Sequence, residues 1–411
     1  MTAFPHSGAE DRRLADVPSH WATLRLKHVA RLAYGDALPS HARAGGGIPV
    51  YGSNGITGEH DEANSPGPTI IIGRKGSFGK VAYSEGPCWC IDTAFYIDRR
   101  HTDADLRWLA WMLEAIGLDD TSQDTAVPGL SRDLTHAIRV PVPPSAEQRA
   151  IAAWLDRRCG ALDAIRALRE QRLTRLVTLR AALIREAITG AADPGPRRDP
   201  DAGWLGTVPR HWRVDRIKHA AVAATGHTPS RGDADLWREC DIPWVSLADT
   251  EAIDRADVLH DTTHHISRAG LAASSAKVMP AGAVVCTRDA SIGLAAILGR
   301  PMAISQHLVA WVCGPDLEPQ WLLYVLYAMR PELEAIARGT TIGTIGMHTL
   351  KRLVIPLPPI DEQRALLRRL IPRVTALDRL AALTARQQQR LAELRRALVF
   401  DATHGRAAVG G

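Results

Sequence analysis

The hydrophobic pattern divides the chain into two strand-rich segments, residues 17–144 and 208–359, each followed by a long helical stretch. In both segments short apolar or aromatic runs are bounded by Gly, Pro, Asn or Ser, which is typical of strands joined by turns. The predicted strands are 48–51, 69–72, 81–84, 94–97, 242–245, 284–286 and 308–312. Helical periodicity interrupts them at 106–116 and 319–337. Two separate domains of one α+β type are therefore expected.

The stretches that follow predict long helices over residues 145–190 and 360–405. In the first stretch Ser145 is followed three residues later by Gln148, the spacing of a capping box. In the second stretch Ile360 replaces the serine and leaves Asp361 as the substitute cap. The second helix is therefore expected to start one residue later than the repeat would place it.

Apolar residues recur on a seven-residue frame in each helical stretch, which indicates a stripe that packs against a partner helix. The frames contain Ile151, Leu155, Leu162, Ile165, Leu176, Leu179 and Leu183, and Leu370, Leu377, Leu380, Leu391, Leu394 and Leu398. Polar residues interrupt both frames half-way, at Arg169 and Arg172 and at Thr384 and Gln387. Because midpoint meets midpoint in an antiparallel pair, we expect the two helices to pair with each other. The alternative is a seam for homodimerisation.

The chain is a tandem duplication. A gapless shift of 215 positions superposes the motif Pro-Pro-x-x-Glu-Gln-Arg at 143–149 on its copy at 358–364, Asp163 on Asp378 and Gly190 on Gly405. A shift of 191 superposes Val17-Pro-Ser-His-Trp21 on Val208-Pro-Arg-His-Trp212. The expected plan is a pseudo-twofold arrangement with these segments: 1–16 a polar tail, 17–144 the first domain, 145–190 a helix, 191–207 a Pro/Gly linker, 208–359 the second domain, 360–405 a helix and 406–411 a tail.

The composition restricts the possible classes of protein but does not identify a function. The charge of +5 comes almost wholly from arginine, because only six of the 50 basic residues are lysine, but 45 acidic residues nearly balance them. Arginine suits phosphates and guanine edges, so the charge supports nucleic-acid binding without establishing it. Six cysteines without paired spacing favour reduced thiols over disulfides or zinc. Without a signal peptide or a long apolar run, a soluble cytoplasmic protein without membrane contact is expected.

Motifs for catalysis are missing from the sequence. The glycine-rich stretch 73–80 is similar to a phosphate loop, but it has one residue too many and Val81 stands where Ser or Thr is needed. His260, His264 and His265 have helical metal-pair spacing without a clear third ligand. We therefore expect no catalytic, cofactor-binding or metal-binding residues, although an unrecognised nuclease or methyltransferase centre is one alternative and a coiled-coil adaptor without DNA reading is another.

The duplicated order of motifs resembles the specificity subunit of type I restriction-modification systems. Three motifs carry the resemblance: the Val-Pro-x-His-Trp sequences, Tyr51-Gly-Ser-Asn-Gly-Ile-Thr-Gly58 and the Pro-Pro-x-x-Glu-Gln-Arg helix openings. It implies two target recognition domains, each reading one half of a bipartite double-stranded DNA site, with paired helices that set the unread gap. It also implies two methyltransferase subunits and motor-nuclease subunits as partners. S-adenosylmethionine, ATP and Mg would lie on those partners, and none in this chain.

One turn and two loops are the candidates for DNA contact. In the first domain these are the turn residues Ser53 and Asn54 and the basic loop with Arg74, Lys75, Ser77 and Lys80; in the second they are Arg288 and Ser291. Arg74 matches Arg288 at a shift of 214. The competing interpretation is a strand bulge at Gly79 and Gly293 with solvated arginines at its rim.

The duplicated motifs at the domain ends have a structural explanation as well. Trp21 and Trp212 are predicted to be packing anchors where each domain meets the helices, rather than platforms for bases. The Glu-Gln pairs at 147–148 and 362–363 serve as helix caps in the simplest interpretation, while the family resemblance places this surface beside the methyltransferase subunits.

Overall fold

The computed structural model describes residue 14 and residues 16–43, 45–118, 129–339 and 343–409. Residues 1–13 and 15 of the predicted N-terminal tail and residues 410–411 of the C-terminal tail lie outside this description. The chain forms two compact units: unit 1 is Met1–Gln171 with Ala385–Gly411, and unit 2 is Arg172–Thr384. Each unit therefore contains one strand-rich domain and a part of both long helices.

The described part of unit 1 contains three small sheets, two short α-helices and parts of both long helices. Its strands are β1 Ala22–Arg25, β2 Ala33–Tyr34, β3 Ile48–Gly52, β4 Gly55–His60, β5 Thr69–Gly73, β6 Val81–Ser84, β7 Trp89–Cys90, β8 Ala94–Ile97 and β9 Arg139–Val142. Its helices are α1 Leu106–Ile116, α2 Arg132–Ala137 and the first part of α3 Ser145–Thr189. The sheets have the orders β2-β8-β5-β6, β4-β3-β7 and β1-β9.

Unit 2 contains the corresponding strands and several additions. They are β10 Arg197–Arg198, β11 Val208–Pro209, β12 Arg213–Arg216, β13 Ala221–Thr225, β14 Ile242–Val245, β15 Val258–Leu259, β16 His264–Ile266, β17 Val278–Met279, β18 Val284–Thr287, β19 Ala295–Leu298, β20 Met302–Ile304, β21 Leu308–Cys313 and β22 Val354–Leu357. The helices are α4 Thr250–Arg255, α5 Arg268–Ala272, α6 Pro319–Arg338, α7 Met347–Leu350 and α8 Ile360–Thr403.

The two units share one topology. The order β13-β21-β18-β19 of unit 2 repeats β2-β8-β5-β6 of unit 1, and β16-β14-β20 repeats β4-β3-β7. In both units the middle strand of the second sheet pairs with its later neighbour in parallel, β3 with β7 and β14 with β20. Strands β15 and β17 extend the two sheets of unit 2. The predicted tandem α+β architecture is confirmed.

Helix α1 shows how local sequence sets an element. Asp105 caps its first turn by accepting a hydrogen bond from the Trp108 amide, and Gly117 ends it in the left-handed conformation at φ 69°. Between these ends the apolar face, including Leu109 and Leu113, is buried in the core of unit 1. The helix therefore has the bounds that the sequence predicts.

Both long helices start at the residue after the Pro-Pro pair. The carbonyl of Pro144 accepts from the Gln148 amide at 3.0 Å, and that of Pro359 accepts from the Gln363 amide at 3.0 Å. The expected displaced start of α8 is wrong, because the carbonyl of the second proline accepts the first helical hydrogen bond in each copy and the helix begins at the next residue. The expected capping box is wrong too, since the side chain of Gln148 binds Asp105 and Pro143 instead.

The long helices contact each other in each unit. In unit 1 Asp163 of α3 contacts Arg395 of α8, and further along α3 Arg169 donates to Gln387. Position increases along one helix while it decreases along the other, so the segments in this unit are antiparallel, and the polar residues at the midpoints meet as predicted. In unit 2 Arg180 donates to a carboxylate oxygen of α8 at 2.8 Å.

The predicted seven-residue frame is correct for only part of its positions. Leu176 and Leu391 are half-buried, but Ile165, Leu179, Leu380 and Leu394 are exposed. The face along which the two helices touch contains fewer leucines than the frame predicts. Arginine, glutamine and threonine side chains occupy part of it. Of the helices in the described part of the chain, none has the length and apolarity to cross a membrane.

The segment 191–207 is folded, although its composition predicts a linker. Strands β10 and β11 pair antiparallel, and Arg197 donates to the carbonyls of Gly190 and Thr189 at the end of α3. Ala202 and Leu205 are buried in the core of unit 2. The Pro and Gly residues therefore shape a cap over the helix end, because the arginine satisfies the carbonyls that a helix C-terminus leaves free.

Candidate nucleic-acid interface

The Val-Pro-x-His-Trp motif joins each domain to a long helix. In unit 1 the indole Nε1 of Trp21 donates to one oxygen of Glu147 at 2.9 Å, and His20 Nε2 lies 2.9 Å from the other. Trp21 is buried, which confirms its predicted role as a packing anchor. The hydrogen bond from the indole is the main reason that the pKa of Glu147 lies below its ordinary value.

Unit 2 repeats this joint. Trp212 Nε1 donates to Glu362 at 2.9 Å, and His211 Nε2 lies 2.9 Å from the second carboxylate oxygen. Asp193 also lies here, so three potential ligand atoms are within 4.8 Å of one another. Both oxygens of Glu362 already have partners, and position 408, which the repeat matches to Asp193, is alanine in unit 1. The shared His-Trp-Glu contacts therefore explain the cluster as a joint between domain and helix.

The glutamine after each glutamate holds the start of a domain helix. The side-chain oxygen of Gln148 accepts from the amide of Asp105 at 2.8 Å, and its NH₂ donates to the Pro143 carbonyl. Gln363 accepts from the amide of Glu318 at 3.0 Å and donates to the Pro358 carbonyl. Asp105 and Glu318 are the N-cap residues of α1 and α6. The Glu-Gln pair thus connects domain to helix in both units, beyond any capping role.

The two candidate loops have the same main-chain geometry. In unit 1 the loop joins β5 to β6; the Gly73 amide donates to the Lys80 carbonyl, and the Gly79 amide donates to the Gly73 carbonyl. In unit 2 the corresponding loop joins β18 to β19; the Thr287 amide donates to Leu294 and the Gly293 amide to Thr287. Gly79 and Gly293 have φ of 77° and 80°. The glycines therefore close two equivalent hairpin loops in the left-handed conformation, which an L side chain rarely adopts.

The two loop arginines are held by equivalent neighbours. The Arg74 amide donates to the Thr93 carbonyl, and the Arg74 carbonyl accepts from the Leu130 amide. The Arg288 amide donates to the His307 carbonyl, and the Arg288 carbonyl accepts from the Ile345 amide. The match of Arg74 with Arg288 at a shift of 214 is therefore structural as well as sequential.

In unit 1 the predicted turn and the basic loop come together. Lys80 Nζ donates to Asn54 Oδ1 at 2.5 Å. A Cβ placed on Gly73 would lie 2.3 Å from the Ser77 carbonyl oxygen and 2.6 Å from that of Ser53. Glycine at position 73 therefore allows the turn and the loop to pack against each other, and four of the predicted contact residues lie in one surface.

Arg74 is the most constrained side chain of this surface. Its guanidinium donates to the Asp92 carbonyl through Nε at 3.2 Å and Nη2 at 2.7 Å. Its Cζ lies 5.1 Å from the ring centroid of Tyr34 and 5.8 Å from that of Phe95. Lys75 is exposed, and its backbone forms a β-bridge with Gly129. The loop therefore presents one fixed and one free cation side by side.

Unit 2 has different chemistry at the same place. Arg288 Nε lies 3.9 Å from Asp289 Oδ1, and the other carboxylate oxygen lies 2.6 Å from His307 Nδ1. His307 Nε2 contacts the Gln306 amide nitrogen at 3.2 Å, and Thr228 donates to Gln306 at 2.6 Å. Ser291 is exposed and its carbonyl accepts from the Thr287 hydroxyl. Arg288 is thus the start of a polar chain, and its side chain is only 19% exposed.

Several residues of these surfaces escaped the sequence analysis. They are Tyr34, Asp92 and Arg132 in unit 1, and Thr228, Asp289, Gln306 and His307 in unit 2. The sequence contains one signal that could have found some of them. The shift of 214 that matches Arg74 with Arg288 also matches Asp92 with Gln306 and Thr93 with His307. The identities differ at these positions, so a search for identical residues passes over them.

The family model and the curated relatives that match this chain all describe specificity proteins of type I restriction systems. A family model described as the type I restriction modification DNA specificity domain matches residues 18–175 and 209–393. The type I restriction enzyme MjaIX specificity subunit of Methanocaldococcus jannaschii is 27% identical over 162 residues, 39% of this chain and 37% of that protein. The EcoprrI specificity subunit of Escherichia coli is 25% identical over 164 residues, 39% of this chain and 40% of that protein.

These matched stretches span well under half the length of the two curated relatives. Among solved structures, a chain from a study of complex assembly and conformational transition in the type I R-M system matches with a TM-score of 0.67 and 19% identity. The match covers 95% of this chain and 100% of that one. At this identity the likeness shows a common fold.

Proposed function

Because this chain belongs to the family of type I restriction modification DNA specificity domains, we propose that it is the DNA-reading subunit of a type I restriction-modification complex. Each recognition domain reads one half of a bipartite target. The observation that carries this proposal is the pair of equivalent loops after β5 and β18, which share main-chain hydrogen bonds but differ in side chains. A constant frame with variable side chains is what two readers of different sequences require.

The long helices have a second role in this proposal. They set the length of the unread gap between the half-sites, and their starts, where domain and helix meet, dock two methyltransferase subunits. Those subunits bring S-adenosylmethionine, and motor-nuclease subunits with ATP and Mg join them in the restricting complex. The chain itself supplies recognition and no catalysis. The repetition of the His-Trp-Glu joint in both units supports one methyltransferase for each unit.

The proposal is tested by mapping methylated bases in cells that express this chain with its cognate methyltransferase subunit. Cells with the methyltransferase alone serve as the control. We expect a split motif that appears only when this chain is present. A stable complex that adds no new motif would contradict DNA reading and favour an adaptor, and turnover by the purified chain alone would contradict the non-catalytic role.

A further inference from the structure

Four cationic side chains without a carboxylate partner lie at or beside the loop between β5 and β6 of unit 1, the reading loop of this unit. They are Arg74, Lys75, Lys80 and Arg132, and none of them forms an ion pair with an acidic side chain in the part of the chain that the structure describes. Other arginines of this unit do pair, for example Arg100 with Asp98 and Arg107 with Asp156. The charge of this loop is therefore left available for an external anion.

Tyr34 organises two of these cations. It lies at the end of β2 and is 47% exposed. The Cζ of Arg74 lies 5.1 Å from its ring centroid, and that of Arg132 lies 5.0 Å from it. The negative potential of the ring faces attracts both guanidinium groups, so the ring holds two cations close to the loop.

Backbone contacts fix this arrangement. The carbonyl of Arg74 accepts from the Leu130 amide, and the backbone of Lys75 bridges Gly129. These bonds place the start of α2, and with it Arg132, beside the loop. Two segments that are distant in sequence therefore contribute to one cationic surface, which we define as Tyr34, Arg74, Lys75, Lys80 and Arg132.

Unit 2 lacks this surface although it has the same loop. The positions that correspond to Tyr34, Lys75, Lys80 and Arg132 are occupied by Thr225, Asp289, Leu294 and Met347. The correspondence is supported by strand pairing, because Tyr34 is opposite Phe95 as Thr225 is opposite Val309. The remaining arginine, Arg288, has Asp289 beside it. At the equivalent place unit 2 therefore presents a nearly neutral polar chain.

We propose that the cationic surface of unit 1 binds DNA backbone phosphates, a role that the equivalent positions of unit 2 do not share. This inference rests on the proposed function. Phosphate contacts fix position and make affinity depend on salt, whereas contacts to base edges select sequence. Through this surface unit 1 holds DNA of any sequence in addition to reading its own half-site, whereas the loop of unit 2 has polar side chains that contact bases.

The test uses the full chain in complex with its methyltransferase subunits. Fluorescence anisotropy measures the dissociation constant at several salt concentrations on two duplexes, one with the mapped target and one with a scrambled sequence. We expect Arg132→Gln to weaken binding equally on both duplexes and to lower the salt slope by about 0.9, the value for one phosphate. Tyr34→Leu is expected to weaken binding, and Tyr34→Phe to retain wild-type binding because the ring remains.

Arg99→Gln is the matched control, because it removes one arginine from unit 1 at a distance from the loop. Arg99 follows β8 at Ile97, whereas the loop lies at the other end of this strand, where Gly73 pairs with Ala94. Its salt slope should equal that of the wild type. Thermal melting and complex assembly show whether each variant is folded.

The possible outcomes separate this inference from the proposed function. A wild-type salt slope for folded Arg132→Gln would overturn the phosphate assignment, and so would a loss of affinity confined to the target duplex. In both cases the wild-type complex would still methylate its split motif, so the proposed function would stand. If the wild-type complex has no split motif, the proposed function itself fails.

Discussion

Arg395 of α8 lies 3.2 Å from Asp163 of α3, and these residues occupy the same positions of the repeat as Arg180 and Asp378 with the two helices exchanged. In unit 1 the arginine is on the C-terminal helix, and in unit 2 it is on the central helix. The duplication has therefore produced two reciprocal ion pairs from one ancestral pair of positions.

Each arginine also contacts its own recognition domain. Arg395 binds Glu114 of α1, and its Cζ lies 5.3 Å from the ring centroid of Trp111. Arg180 lies 3.4 Å from Asp257, and its Cζ lies 5.0 Å from the ring centroid of Tyr327. One side chain in each unit thus connects both helices and the domain.

Replacement of this arginine should destabilise unit 1. We expect Arg395→Ala to lower the free energy of unfolding by about 1–3 kcal/mol, because two carboxylates lose a partly buried partner and the indole loses its stacked guanidinium. Urea unfolding measures the change. Arg166→Ala is the control: Arg166 contacts the same Asp163 at 3.4 Å from an exposed position and should cost less than about 1 kcal/mol. Equal effects of both variants would show that the pairing of Arg395 is unimportant.

The Trp21 joint should add a pH-dependent term to stability. Since hydrogen bonding from Trp21 and His20 lowers the pKa of Glu147 below 4.5, its ordinary value, the carboxylate stabilises the folded state above pH 4.5. This contribution is lost as the pH falls through the lower, folded-state pKa. Glu147→Gln removes the titrating group. The difference in Tm between wild type and variant should be largest near neutral pH and should shrink below pH 4.5; a difference that does not change with pH would contradict this assignment.

Glycine at the end of α3 should be essential for packing. Gly190 has φ of 61°, and a Cβ there would lie 2.6 Å from Pro209 Cγ and 2.8 Å from Trp212 Cη2. Gly190→Ala is therefore expected to cost about 1–3 kcal/mol through backbone strain and steric overlap. Gly203→Ala, where the added Cβ has open space around it, should change stability by less than about 0.5 kcal/mol. Calorimetry of the two variants measures the difference.

Replacement of the two loop arginines should have different effects on the target. If Arg288 reads a base, Arg288→Ala should cost about 1–3 kcal/mol of discrimination at one position of one half-site and leave the other half-site unchanged. Arg74→Ala should weaken methylation at every site and leave both half-sites unchanged, because Arg74 belongs to the cationic surface that contacts phosphates. Methylation mapping with each variant shows which half of the motif is relaxed. Relaxation of both halves by a single substitution would contradict the assignment of one reader to each unit.

The helices provide a test of the spacer role. Insertion of four residues, about one turn and about 6 Å, at corresponding places in α3 and α8 should lengthen the unread gap by nearly two base pairs of about 3.4 Å each. Both half-sites should stay the same because neither reading loop is altered. Methylation mapping of the insertion variant measures gap and half-sites together. A changed half-site would show that the helices do not act as simple spacers.

Sequence analysis predicted most local structure but few of the distant contacts. The bounds of α1 follow from Asp105 and Gly117, which cap it locally, and Trp21 follows from its repeated motif. The approach of Tyr34 and Arg132 depends instead on the β-bridge between Lys75 and Gly129, which the sequence does not reveal. Contacts of this kind arise from tertiary pairing across long sequence separations, so periodicity and motif spacing do not report them.

The long helices show the same limit. The heptad pattern correctly indicated a partner, but Leu179 and Leu394 are exposed where the frame places them in the contact. Arg180 and Asp378 lie outside the predicted frame, but in the folded chain they form part of the contact. A pattern of apolar residues therefore identifies a helix pair more reliably than it identifies the atoms that hold the pair together.

The hydrogen bonds of Gln148 and Gln363 determine which substitutions in the domains leave the joint between domain and helix intact. On the domain side each glutamine binds main-chain groups, the amides of Asp105 and Glu318 and nearby carbonyls. Every residue type other than proline has an amide hydrogen, so substitutions on the domain surface leave these bonds in place. A domain whose surface side chains have been replaced can thus stay joined to the same helix, because the helix holds its main chain and not those side chains.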